Sequence, residues 1–98
     1  MTILDLTIQK RWFDLILSGE KTMEYRRFCP YYSSRINKTR FSHIKLRNGY
    51  RPDSPFLIAE ILHIYLGSGA LFSPSCGEHL SGSYYGIHIG AIVEKGNT

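Results

Sequence analysis

The segment Gly19-x-Lys21-x-x-Glu24-x-Arg26 holds residues whose types and spacing could do chemistry. On an extended strand, Glu24 and Arg26 fall on one face, and Lys21 sits at the turn beside them. Two cations this close hold the carboxylate ionised and leave a net positive charge for a phosphate. Arginine grips phosphate through a planar fork, whereas lysine acts as a point charge. Glu24 is then placed to take a proton from a ribose 2′-hydroxyl or from water. Lys21, Glu24 and Arg26 are therefore the candidate catalytic residues. The plain alternative is a partly exposed ion pair worth under about 1 kcal/mol.

A second group could bind nucleic acid. Tyr31 and Tyr32 lie between the Arg26-Arg27 pair and Arg35, an order suited to stacking bases while arginines hold the backbone. Tyr84 joins them as a stacking candidate, although any single tyrosine can equally plug the rim of a small fold. Lys10 and Arg11 open a helix, where positive side chains oppose the dipole and a bound anion would relieve them. Lys45, Arg47 and His88 complete the set, on the polar sides of two strands. His43 or His88 could assist proton transfer near neutral pH, and equally serve as cleft walls. Cys76 and His79, with Cys29, have partial zinc spacing but lack a fourth ligand. Ser81-Gly-Ser83 is a weak phosphate-cradle signal. Glu60 interrupts an apolar strand and marks either a cleft position or a bulge. Glu24 and Glu60 could hold Mg²⁺ or Mn²⁺, yet no dedicated ligand cluster is visible, so the cofactor is undefined.

The charge distribution agrees with an anionic partner. Residues 1–51 hold eleven Lys/Arg against four acids, leaving +7, and the remainder carries −3, for a net +4. That asymmetry favours RNA or a nucleotide over a membrane surface. No apolar run approaches the roughly twenty residues of a spanning helix. The amino-terminus lacks the basic and apolar regions of a secretory leader, and two cysteines make no disulfide framework. The expectation is a single domain over residues 1–98, cytoplasmic, with no protein partner readable.

Hydrophobic periodicity supplies the elements that must position these residues. Residues 3–8 alternate as a strand; residues 10–18 switch to helical spacing through Trp12, Leu15 and Ile16, closed by Gly19. Residues 22–26 read as a strand with Met23 and Tyr25 facing the core, and Glu24 and Arg26 on the other side. Residues 27–40 read as a loop with about one helical turn. Residues 41–47 form a strand with Ile44 and Leu46 inward, and residues 48–55 a turn. Residues 56–66, apolar on both faces, read as a central strand. Residues 67–83 are Gly/Ser-rich, and residues 84–93 form a closing strand. Along that strand Gly86 and Gly90 leave room for a close approach.

The helix-to-strand segment around Lys21, Glu24 and Arg26 resembles the signature of the ASCH domain, a branch of the PUA-like superfamily. The match is close over residues 3–27, including Leu6-Thr-Ile-Gln-Lys-Arg-Trp-Phe, and extends in element order to residues 56–61 and 84–89. The resemblance implies an α+β fold. It would be a small PUA-like β-barrel of about five to six mostly antiparallel strands, capped by the N-terminal helix, with a cleft beside that helix. It also implies RNA binding, with hydrolysis of single-stranded RNA as the leading activity. Amidohydrolysis of N4-acetylcytidine and non-catalytic binding of RNA or a modified nucleotide are the alternatives. For the amidohydrolase, Glu24 stands where a threonine nucleophile is expected, Thr22 is out of register, and Glu78 alone could supply the further acid.

Overall fold

The structure is a computed structural model that describes residues 1–69, 71, 72, 79, 80 and 82–98. Cys76, Glu78 and Ser81, and with them the zinc and phosphate-cradle expectations, lie outside the described residues, as does the side chain of His79.

Alternating apolar residues build the strands. In β1 (Ile3–Thr7), Leu4 and Leu6 are buried, and in β3 (His43–Arg47) so are Ile44 and Leu46. These strands pair in parallel, Leu4 opposite Ile44 and Leu6 opposite Leu46. Helix α1 (Lys10–Ser18) lies between them in the chain and sends Phe13 and Ile16 into the core. It stops at Gly19, whose φ of 87° is the left-handed conformation that glycine adopts without strain.

The other pairs are antiparallel: β3 with β4 (Phe56–Ser68), β4 with β7 (Ser83–Gly96), and β7 with β2 (Met23–Arg27). The sheet order is β1-β3-β4-β7-β2, so β4 is central as its two-sided apolar run predicts. Two short strands, β5 (Leu71–Phe72) and β6 (His79–Leu80), pair with each other. The core joins side chains from both helices, Ile36 included, with those of β1, β3, β4 and β7. Phe13, Ile44, Leu46, Leu57 and Ile87 are its largest fully buried members, each worth about 1.5–3 kcal/mol of burial.

Three expectations need correction. The ladder is not closed into a barrel: β1 and β2 are edge strands of an open mixed sheet. Across that opening, the Arg26 guanidinium of β2 donates to the carbonyl of Thr7 in β1 at 3.0 Å, so a side chain stands where a strand-to-strand bond would be. Residues 27–40 hold a full helix, α2 (Pro30–Ile36), begun by Pro30 in its first turn and buried through Ile36. Its Ser33, and Asn37 just beyond it, meet the buried Tyr85 hydroxyl at 2.9 and 3.1 Å. Finally, the faces of β2 are reversed. Glu24 sits opposite the fully buried Ile87, on the core side, while Met23 and Tyr25 are half-buried on the outer side. A charged residue can face the core when cations compensate it, which an apolar-polar alternation rule cannot register.

Register shifts between Ile58 and His63 of β4 settle the Glu60 question as a bulge region, with Glu60 exposed. They also move the inward positions of β7 from Tyr85, Ile87 and Ile89 to Ile92. The glycine prediction holds on the outer face. The Tyr65 ring lies against Gly86, where a Cβ would come within 2.4 Å of it, and a Cβ on Gly67 would likewise come within 2.5 Å of the Tyr84 ring.

Candidate functional site

The turn after α1 determines where the lysine goes. The Gly19 amide donates to the Ile16 carbonyl, and the Lys21 amide reaches back to Leu15 at 3.0 Å. This folds Lys21 under the helix end with its side chain 1% exposed. Its ammonium donates to the Met23 carbonyl and lies 3.4 Å from Glu24 Oε1. The other carboxylate oxygen, Oε2, accepts from Arg26 at 2.7 Å. Lys21, Glu24 and Arg26 are thus brought together as one buried triad, with one positive charge in excess.

Arg26 links the triad to the rest of the site. Besides Glu24 and Thr7, it donates to the Tyr32 hydroxyl at 3.1 Å. Burial lowers its pKa, but Coulombic attraction and hydrogen bonding from Glu24, with help from Tyr32, outweigh burial, and the net direction is up. Arg26 is therefore a permanent cation. Three of the five guanidinium N–H groups are spoken for by these partners, leaving two for a ligand.

A cavity of about 390 Å³ opens beside this group, walled by Glu24, Arg26, Arg27, Tyr32, Trp12 and Gln9 among others. A second, of about 480 Å³, shares Thr7, Arg26 and Tyr32 with the first and extends to Tyr31, Arg35 and Tyr50. A third lies on the far side of the α1 turn and is lined by Lys21 and Thr22. Lys21 thus does not line the cavity that Glu24 and Arg26 face; it supports Glu24 from behind.

The expected nucleic-acid-binding residues divide into groups. Arg27 and Tyr32 line the first cavity, and Tyr31, Tyr32, Arg35 and Arg47 the second. Arg35 lies 4.5 Å over the Tyr31 ring. Arg47 forks onto Asp5 at 3.1 Å, and the hydrogen bond to that carboxylate raises its pKa. Lys10 pairs with Asp14 on the exposed face of α1, Arg11 stacks on Trp12 at 4.2 Å, and Lys45 lies over Phe56. Tyr84 and His88 are not in the groove. Tyr84 meets Tyr25 and Tyr65 edge-on over the outer face of β2, β4 and β7, and His63 stacks on Tyr65. Burial, then Tyr25, raises the Tyr65 phenol's pKa.

Trp12, Gln9, Cys29 and Tyr50 line the cavities without having been singled out for them. Trp12 reads as a core residue by helical spacing; in the fold it is half-buried against the core and also lines the first cavity. Among the described residues, no group of three or more His, Cys, Asp or Glu is arranged to hold a metal ion, and Glu60 lies outside the cavities. No helix of the described residues is long and apolar enough to cross a membrane.

Comparison of the chain with protein-family models, curated proteins and solved structures finds no match.

Proposed function

We propose that this chain is an ASCH-type domain that binds single-stranded RNA or a nucleotide in the groove beside α1. On this reading the open five-stranded sheet is a PUA-like arrangement, and the protein acts on RNA in the cytoplasm. One observation carries the proposal. The Lys21–Glu24–Arg26 triad has an excess positive charge and opens, through Arg26, into a cavity that also holds Trp12, Tyr32 and Arg27. Phosphate fits the arginines, and a base fits the aromatic rings.

Hydrolysis of the RNA is a second reading, favoured by Glu24 lining the same cavity. Against it, both carboxylate oxygens are engaged by cations. That arrangement suits holding Arg26 in place better than moving a proton. Removal of acetyl from N4-acetylcytidine draws less support, because Thr22 lies at a different cavity.

Fluorescence anisotropy with a labelled single-stranded RNA, with and without EDTA, tests the proposal. Binding is expected to weaken in Arg27→Ala, an exposed substitution that spares the triad, and the salt dependence should become shallower. Cleavage abolished by Glu24→Gln in folded protein would establish the hydrolytic reading, and the EDTA samples would show whether a metal takes part. Absence of binding by wild type at low salt would refute the proposal.

A further inference from the structure

The two larger cavities are not independent. They meet at Thr7, Arg26 and Tyr32, so Arg26 stands at the junction with its two uncommitted N–H donors. Each volume is in the range of a small-ligand pocket. Each also has an aromatic ring of its own, Trp12 in the first, Tyr31 and Tyr50 in the second. Tyr31 and Tyr50 are 57% and 91% exposed, large apolar rings left in solvent at the mouth of a basic hollow. Arg35 lies 4.5 Å over the Tyr31 ring and has no carboxylate partner among the described residues.

Resting on the nucleotide-binding reading, we infer that the groove is a two-base site. A dinucleotide step of single-stranded RNA places its phosphate on Arg26, one base in the Trp12 cavity and the next on Tyr31 and Tyr50. The alternative use of these features, a single nucleotide with an empty neighbour, leaves the exposed tyrosines and Arg35 without a role. A duplex does not suit the site, because its bases are stacked on one another and cannot enter two separate hollows.

The chain has a single tryptophan, so quenching of its fluorescence reports the first cavity directly. The probes are AMP, with one base and one phosphate, and 2′-O-methylated ApA, with two bases and one phosphate, which its own 2′ oxygen cannot cleave. UMP and the matching UpU repeat the comparison. The dinucleotide is expected to bind roughly tenfold tighter or more, the gain of one extra stacked base, despite its lower charge. Both probes should quench Trp12. Tyr31→Ala and Tyr50→Ala, surface changes that leave the core intact, should bring the dinucleotide down to the mononucleotide's affinity. Equal affinities with normal quenching would overturn the two-base site and leave single-nucleotide binding standing. A dinucleotide advantage untouched by both tyrosine variants would also overturn it. Failure of every probe, longer RNA included, would remove the nucleotide-binding reading itself.

Discussion

Replacing Glu24 by Gln keeps the side-chain shape and deletes the one anion between two cations. Lys21 lies 3.4 Å and Arg26 2.7 Å from its oxygens. With an effective dielectric of about 20, these distances correspond to gross attractions of about 5 and about 6 kcal/mol. Desolvation of three charges offsets most of that, so the intact triad adds little net stability. Breaking it is different, because Lys21, 1% exposed, and Arg26, 13% exposed, are left with uncompensated charge. The expected loss is about 3–5 kcal/mol, a large share of the roughly 5–15 kcal/mol that holds a domain folded. Urea unfolding followed by circular dichroism measures it. Lys10→Ala is the internal reference: its partner Asp14 is 2.6 Å away, but both side chains are at least half exposed, and the loss should stay near 0.3–0.5 kcal/mol. A Glu24→Gln loss under about 1 kcal/mol would refute the reasoning, since the triad would then behave as a surface pair.

Gly86→Ala should cost about 1–3 kcal/mol by forcing the Tyr65 ring off the strand. Combining it with Tyr65→Ala should recover part of the loss in a double-mutant cycle. Gly19→Ala meets nothing within 4 Å, so its cost of about 1 kcal/mol should come from the positive φ alone, and a urea midpoint checks it. Tyr85→Phe removes the hydroxyl that meets Ser33 and Asn37. It should cost about 1–3 kcal/mol and raise amide hydrogen exchange in α2 before the rest of the chain.

Local rules made much of this protein legible. Periodicity placed α1 at its observed bounds because Trp12, Leu15 and Ile16 repeat at helical spacing and Gly19 has no Cβ to resist the left-handed turn. Alternation oriented β3, and a run apolar on both faces, interrupted only by Glu60 and His63, marked β4 as central. Residue types and spacing also singled out Lys21, Glu24 and Arg26, three charges that the turn and strand were bound to keep near one another. What local rules could not supply was direction. Whether Glu24 faced the core depended on Lys21 folding back beneath α1 and on Arg26 reaching Thr7, nineteen positions away in the chain. The helix at Pro30–Ile36 owes its burial to Ile36, and Tyr85 meets it from a strand at the other end of the sequence. The cavities arise between β1, α1, β2, α2 and the end of β3 with the turn after it, so residues as unlike as Trp12 and Tyr50 become their walls only through packing. Pairwise spacing determines which groups can be neighbours along one element. Which of them share a desolvated space is decided by the long-range contacts that close the fold.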